Sequence, residues 1–266
     1  MKVGIAGLGA IGMALVEALD RGVDGLELAA VASRDANKAA SQVASCEASP
    51  VVCGIGELAA HSDIVVEAAP SSVFDEIAEP TLDLGKIFVP SSVGQLLRRP
   101  DFVDRAKATG ARIIVPTGAL LGLDAVRAAA RGNIESVTIE TRKPPGGLAG
   151  APHLVENNIS VDGLTTAKKV FEGSARDGAK GFPANVNVAA ALSLAGIGPD
   201  ETRLEIWADP GVTRNTHLIK LEADCVRLEM KIENVPSMEN PRTGKITPLS
   251  VLATLESLVT HLRVGT

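Results

Sequence analysis

The chain has 266 residues, of which 45% are hydrophobic and 22% are charged, and this length and composition fit two modest globular domains. Its 26 Lys and Arg residues against 32 Asp and Glu residues give a formal charge of -6, which argues against the basic surface that a nucleic-acid partner requires. A small-molecule partner fits this acidic balance better. No uninterrupted apolar run reaches the ~20 residues of a transmembrane helix, so we expect no membrane span.

The three cysteines, Cys46, Cys53 and Cys225, have neither the even count of a disulfide framework nor the spacing of metal ligands. Reduced thiols of a cytosolic protein are the expected state of such residues. We therefore predict a cytoplasmic protein without a metal site.

The first part of the chain alternates short apolar runs with helical stretches. Residues 2–7 (KVGIAG) form a β-rich run that ends in glycine, and residues 10–20 have the apolar spacing of a helix. Further apolar runs lie at 26–33, 63–69, 86–92 and 111–116. This alternation is typical of a parallel sheet covered by helices on both faces. The sequence therefore predicts a Rossmann-type, doubly wound α/β domain over residues 1–115.

After Pro116 the pattern changes to strands with one polar face, at 135–141, 202–208, 216–223 and 226–233. Helices are predicted at 165–179 and 185–196, and the Pro- and Gly-rich stretch 143–152 is predicted to be a mobile loop. These elements indicate an α+β domain built on a mixed or antiparallel sheet, over residues 116–245. We expect the last segment, 246–266, to form an amphipathic helix that packs back on the Rossmann domain.

A glycine motif, GLGAIG, lies between the first predicted strand and the first predicted helix. In this context the G-x-G-x-x-G pattern allows a tight turn and brings a pyrophosphate close to the helix N-terminus. We predict that a dinucleotide cofactor binds the residues of this motif, namely Gly7, Gly9, Ala10, Ile11 and Gly12. The alternative is that the glycines serve only the packing of the helix on the strand.

The end of the second predicted strand usually distinguishes NAD from NADP, through an acidic residue about 20 residues beyond the glycines. This chain has Ser33 and Arg34 at that place, and Asp35 comes later. A guanidinium binds a 2′-phosphate through a fork of donors, whereas a carboxylate would repel it. Ser33 and Arg34 therefore predict NADP preference or the use of both cofactors. Equally open is that Arg34 stays in solvent while Asp35 caps the next helix.

Of the four histidines, His217 lies in the middle of a predicted strand. Its alternation partners Ile219 and Leu221 belong to the face that packs, so the imidazole is placed at or near an interface between layers. This local pattern alone favours a core histidine whose hydrogen bonds are satisfied by its neighbours.

Several longer blocks extend over nearly the whole chain behind the N-terminal GIAGLGAIG. They are DPGVTRNTHLIKLEAD (209–224), GFPANVNVAAALSLAGIG (181–198), PTGALLGLDAV (116–126), TRKPPGGL (141–148) and PSSVGQL (90–96). Together, and in their order along the chain, the blocks resemble the L-aspartate dehydrogenase family. The resemblance implies an NAD(P)-dependent oxidation of L-aspartate to iminoaspartate. That product hydrolyses to oxaloacetate and ammonia, or feeds NAD biosynthesis.

The resemblance also assigns residues. The family's catalytic histidine falls on His217, which is a side chain able to accept a proton near neutral pH. The contacts on the nicotinamide side fall on Ala119 and Asn187, with Asn185 as an open alternative to Asn187.

A dicarboxylate substrate also needs cations or amide donors. The candidates are Arg142, Lys143, Arg214 and Asn215. For each of them the alternative is a solvated strand end.

Two other functions stay open at this point. One is a related two-domain NAD(P) oxidoreductase, similar to homoserine dehydrogenase or dihydrodipicolinate reductase, that acts on another amino-acid-derived substrate. The other is a non-catalytic NAD(P)-binding sensor in which His217 is structural. Because the alternating strands of the second domain leave a sheet face to be covered, we also expect a homodimer.

Overall fold

The computed structural model describes residues 1–183, 186–237 and 244–265. The chain divides into two compact units. The first combines Met1–Gly118 with the C-terminal Thr247–Val264, and the second is built from Ala119–Ile246.

The first unit contains a six-stranded sheet in which every paired strand is parallel to its neighbour. The strands are β1 (Lys2–Ala6), β2 (Glu27–Ala32), β3 (Val51–Cys53), β4 (Ile64–Glu67), β5 (Ile87–Pro90) and β6 (Arg112–Ile113), in the order β3-β2-β1-β4-β5-β6. The order reverses direction between β1 and β4, which is the switch point where such sheets bind ligands. The predicted doubly wound fold is confirmed.

Four helices connect these strands, namely α1 (Ala10–Asp20), α2 (Ala36–Val43), α3 (Phe74–Asp83) and α4 (Asp101–Thr109). Short 3₁₀ helices lie at Ile55–His61, Ser71–Val73 and Val93–Leu97. The central strands are apolar along their length because helices cover both of their faces. Helix α4 ends at Gly110, whose φ of 77° lies in the left-handed region that glycine adopts without strain.

The second unit contains a five-stranded mixed sheet. Its strands are β7 (Ile134–Lys143), β8 (Lys168–Ser174), β9 (Arg203–Ala208), β10 (Thr216–Ala223) and β11 (Arg227–Glu233), in the order β11-β10-β7-β9-β8. Only the pairing of β7 with β9 is parallel among these described strands. One face is apolar and buried, with Val137 and Ile139 beside Ile219 and Leu221. Helices of this unit are α5 (Leu123–Ala129), α6 (Pro152–Glu156), α7 (Ala175–Gly181) and α8 (Asn187–Ala195).

The predicted helix at 165–179 was wrong. Residues Lys168–Ser174 form β8, which pairs antiparallel with β9 and buries Val170 and Phe171. These β-branched and aromatic side chains suit a strand, and pairing with β9 decides the conformation. The helix begins only at Ala175, where the Ser174 hydroxyl caps it by accepting a hydrogen bond from the backbone N–H of Asp177.

The last helix, α9 (Ile246–Glu256), ends before the predicted amphipathic stretch does. Its Val251 and Leu255 lie in one hydrophobic cluster with Val3 and Ile5 of β1 and Leu15 of α1. Helix α9 thus completes the core of the first unit. Within the described residues, no helix is long and apolar enough to cross a membrane.

Two leucines of α9 provide a matched test of this packing. Leu255 is fully buried, whereas Leu249 is 62% exposed. We expect Leu255→Ala to lower the free energy of unfolding by about 2–5 kcal/mol because it leaves a cavity in the core. The control Leu249→Ala should change it by less than about 0.5 kcal/mol. Urea unfolding measures both, and equal effects of the two variants would contradict the packing.

Candidate active site

The glycine motif of the first unit forms the turn from β1 into α1. Gly7 has a φ of 93°, and a Cβ built on it would lie 2.5 Å from the carbonyl oxygen of Ala68. A Cβ on Gly12 would collide with the carbonyl oxygen of Gly7. Packing by itself therefore excludes a side chain at these two positions, which is the alternative to cofactor binding that the sequence left open.

Gly9 differs, because a Cβ on it would meet no atom within 4 Å. It is the N-cap of α1, and its backbone is followed by Ala10, Ile11 and Gly12 in the first helical turn. The N–H groups of a first turn have no acceptor within the helix, and this turn contains no acidic residue. A phosphate group fits this turn, since the dipole favours an anion and Gly9 permits close approach.

After β2, Asp35 caps the next helix and Arg34 is in solvent, which is the alternative that the sequence left open. The Asp35 carboxylate caps α2 by accepting a hydrogen bond from the Lys38 backbone N–H at 3.0 Å. Arg34 is exposed and Ser33 is partly buried. The preference between NAD and NADP stays a prediction.

A buried carboxylate at the end of β4 was missed by sequence reasoning. Glu67 is 0% exposed, and its oxygens accept hydrogen bonds from the backbone N–H groups of Ser91 and Ser92 and from the Ser92 hydroxyl. Burial raises the pKa of the Glu67 carboxyl, and the donors of Ser92, Ser91 and Ala69 oppose that rise. In the sequence Glu67 looks like an ordinary strand end, and only its apolar neighbours Ile64–Val66 hint at burial.

In the second unit His217 lies on the buried face of β10 and is 3% exposed. Strand pairing places it directly beside Thr141 of β7 on one side and Ile232 of β11 on the other. The Thr141 hydroxyl oxygen lies 3.0 Å from Nδ1 of the imidazole, which is a hydrogen bond between buried side chains. Thr141 was not identified from the sequence, since its role depends on the cross-strand register.

Lys143 lies two residues beyond Thr141 on the same face of β7 and is 7% exposed. Burial lowers the pKa of Lys143 to about 8. Burial, and secondly the positive charge of Lys143, lower the pKa of His217 to about 3. At neutral pH the imidazole is therefore uncharged, and the Lys143 amine lies on the same face of the sheet.

The other predicted substrate contacts are divided between the two faces of the sheet. Arg142 points to the face opposite His217, because neighbouring residues of a strand alternate. It is bound there by Glu140 at 2.6 Å and Asp209 at 2.9 Å, and its guanidinium lies over the Trp207 ring. The structure therefore brings Lys143, and not Arg142, together with His217.

The start of β10 is linked to the residue predicted to contact the nicotinamide. Asn234 is buried, donates its backbone N–H to the carbonyl oxygen of Asn215 at 2.9 Å, and donates its side-chain amide to the carbonyl oxygen of Ala119 at 3.3 Å. Ala119 and Asn215 are thus held at the His217 end of the sheet, while Arg214 is exposed. Asn234 had no distinguishing signal in the sequence.

Asn187 is the first residue of α8 and is partly buried. The alternative, Asn185, lies outside the described residues. His153 packs against the rings of Phe171 and Phe182 with centroid separations of 5.2 and 5.3 Å. Its surroundings are those of a core residue.

Comparison with known proteins matches both units to protein families. The family profile described as "Aspartate dehydrogenase, C-terminal" matches residues 124–258, and that described as "Homoserine dehydrogenase, NAD binding domain" matches residues 7–116. These matches define an oxidoreductase with an NAD-binding domain.

Full-length relatives narrow the class. The chain is 54% identical to L-aspartate dehydrogenase 3 of Bordetella bronchiseptica, covering 100% of this chain and 98% of that one. It is 56% identical to L-aspartate dehydrogenase of Bradyrhizobium diazoefficiens, covering 100% and 94%. The crystal structure of aspartate dehydrogenase from Thermotoga maritima superposes with a TM-score of 0.76 at 28% identity, covering 100% and 99%. The chain belongs to the aspartate dehydrogenase family.

The lowered pKa of His217 has a consequence for stability. The unfolded chain takes up a proton on this histidine below pH 6.5, whereas the folded chain does so only near pH 3, so acid favours unfolding within this window. At pH 5 this proton uptake lowers the free energy of unfolding by about 2 kcal/mol, because each pH unit below the pKa of the unfolded chain contributes about 1.36 kcal/mol. His217→Gln should remove this part of the loss between pH 7 and pH 5, and urea unfolding at the two pH values measures it.

The matched control is His261→Gln, in an exposed C-terminal segment, which should lose stability with pH as the wild type does. The buried neutral state of His217 would be contradicted by a His217→Gln variant with the same pH dependence as the wild type.

Proposed function

We propose that this protein catalyses the NAD(P)-dependent oxidation of L-aspartate to iminoaspartate, with His217 as the acid-base group. The observation that carries the proposal is the buried, neutral imidazole hydrogen-bonded to Thr141, in a chain whose full-length relatives bear the name L-aspartate dehydrogenase. In solution the product hydrolyses to oxaloacetate and ammonia, and it can also be used as a precursor for NAD biosynthesis.

The reaction removes a hydride from Cα and a proton from nitrogen. When bound, the nicotinamide ring supplies the hydride acceptor. The α-ammonium group of aspartate has no lone pair, so it must first lose a proton before the C=N bond can form. We assign the acceptance of this proton to His217, whose uncharged imidazole has a lone pair on one ring nitrogen. In the reverse direction the imidazolium returns the proton to the nitrogen.

Thr141 gives this base its orientation. In the tautomer that we propose, Nδ1–H donates to the Thr141 hydroxyl, and the lone pair is left on Nε2 for the substrate. A base that is held by a third group loses little entropy on reaching the reactive geometry. Thr141 is thus a positioning residue, and its methyl group fills the packed face of β7.

Lys143 is the proposed partner of a substrate carboxylate. Lys143 lies on the same face of β7 as Thr141, the cross-strand neighbour of His217, and an ammonium binds a carboxylate through charge-assisted hydrogen bonds. Arg142 points to the opposite face of the sheet, where it binds Glu140 and Asp209, and this orientation favours Lys143 over Arg142 in this role. Arg214 and Asn215, just before β10, are proposed to contribute the further cation and amide group.

We assign the phosphate groups of the cofactor to the first unit and the substrate to the second. Gly7, Gly9, Ala10, Ile11 and Gly12 would hold the pyrophosphate, and Ser33 with Arg34 would receive the 2′-phosphate of NADP. Ala119 and Asn187 are proposed contacts on the nicotinamide side. We further propose a cytoplasmic homodimer in which the open face of the second sheet, with the half-buried Trp207, is covered by the second copy.

Turnover assays test the proposed reaction. We expect reduced nicotinamide to form with L-aspartate and not with D-aspartate, L-glutamate or L-homoserine. We expect the enzyme either to prefer NADP to NAD or to use both cofactors. His217→Ala should lower kcat about 10²–10⁴-fold because the acid-base group is lost, while cofactor binding persists. Cofactor binding without turnover of any of these substrates would instead favour the sensor, and turnover of L-homoserine alone would favour the related oxidoreductase.

Two substitutions at Thr141 separate positioning from packing. Thr141→Val keeps the shape but removes the hydroxyl, so kcat should fall roughly tenfold to hundredfold while KM for the cofactor stays unchanged. Thr141→Ser keeps the hydroxyl and should retain most of the activity. Steady-state kinetics at saturating cofactor measures both, and a Val variant as active as the Ser variant would show that the hydroxyl does not position His217.

A further inference from the structure

Glu67 is a buried titratable group for which the proposed reaction has no use. It is the last residue of β4, and in the sheet register it lies between Ala6 of β1 and Pro90 of β5. Ala6 directly precedes Gly7, so Glu67 lies one strand spacing, about 4.8 Å, from the start of the glycine turn. This is the carboxyl edge of the sheet at its switch point.

The carboxylate joins two turns at that edge. One oxygen accepts hydrogen bonds from the backbone N–H groups of Ser91 at 3.1 Å and Ser92 at 2.8 Å, and the other accepts from the Ser92 hydroxyl at 3.0 Å. The backbone N–H of Ala69 is a further donor. Glu67 therefore fixes the turn after β4 and the turn after β5 with a single side chain.

The turn after β4 is also in contact with the glycine motif. Ala68 lies so close to Gly7 that a Cβ on the glycine would come within 2.5 Å of the Ala68 carbonyl oxygen. The Ala68 backbone N–H donates to the carbonyl oxygen of Ala6 at 2.8 Å, so a displacement of Ala68 would also move the residue that directly precedes Gly7. The position of the glycine turn depends on the turn that Glu67 holds.

A purely structural anchor would not need a carboxylate at this place. Folding disfavours the ionised form, since burial raises the pKa of Glu67 despite its donors. An uncharged acceptor could satisfy the same amides at a lower desolvation cost. A carboxylate makes these hydrogen bonds stronger and better oriented, because they are charge-assisted and several donors converge on it.

We propose that Glu67 is a positioning residue of the dinucleotide site, which holds the Ala68–Ala69 and Ser91–Ser92 turns in the geometry that the cofactor requires. This inference rests on the proposed binding of a nicotinamide dinucleotide to the first unit. Loss of the side-chain acceptors loosens both turns and weakens cofactor binding.

The test compares full-length variants by titration with NADH and NADPH. Glu67→Met retains the volume but removes every acceptor, and should raise the Kd about tenfold or more. Glu67→Gln keeps one carbonyl oxygen for the two backbone donors and should give an intermediate Kd. Ser92→Ala, which removes only the hydroxyl donor, should raise the Kd least and provides a gentler variant where the Met substitution prevents folding.

A matched control lies at the opposite end of the same strand. The Asp63 carboxylate also accepts a backbone N–H, from Lys2 at 2.8 Å, but at the amino edge of the sheet. Asp63→Asn should leave the Kd of the cofactor within about twofold of wild type. Thermal unfolding of every variant shows the purely structural part of each effect.

The outcomes are distinct. A graded rise of the Kd, from wild type through Gln to Met, with Asp63→Asn unchanged, supports the positioning role. Lower thermal stability with an unchanged Kd in the Gln and Ser92→Ala variants overturns it, because Glu67 is then structural only. Wild-type protein that binds neither cofactor overturns both this inference and the proposed function. Wild-type protein that binds cofactor but does not oxidise L-aspartate overturns the proposed reaction alone, and the Kd series still decides the role of Glu67.

Discussion

Burial of two basic side chains on one face of the second sheet is the constraint on which the proposed chemistry depends. His217 and Lys143 both lie where apolar residues such as Ile139 and Ile219 would pack at lower cost. Removal from water disfavours their charged forms, and the charge of Lys143 further disfavours a proton on the imidazole. The strand register gives the imidazole a defined geometry, because it places Thr141 directly across from His217. The result is a neutral base with a fixed orientation.

The first unit also buries an ionisable side chain, but here the group is acidic. Glu67 is buried at the end of β4, where several donors converge on its carboxylate, and the neighbouring glycine turn accepts no larger residue at Gly7 or Gly12. In both units the polar groups lie at or near strand ends, where side chains can reach a ligand. Burial of these ionisable groups costs stability, as is typical of functional sites.

Periodicity predicted most of the fold, and resemblance predicted the family. The doubly wound sheet and the mixed second sheet follow from apolar runs and alternation, but 165–179 was assigned to a helix because local spacing does not show that Val170 and Phe171 pair with β9. Arg142 and Lys143 were grouped by adjacency, although adjacent strand residues face opposite sides. Thr141, Asn234 and Glu67 were missed because their partners are distant in sequence. Long-range register and burial are properties of the folded chain, and a single sequence does not display them.

The central claim is that His217 is an uncharged, oriented base, and nuclear magnetic resonance of labelled imidazole nitrogens measures this state directly. With the His217→Gln variant used to assign the signal, the account predicts one neutral tautomer of His217, protonated on Nδ1, from pH 7 down to about pH 5. An imidazole that titrates with the ordinary midpoint near 6.5, or that exchanges freely between tautomers, would contradict it.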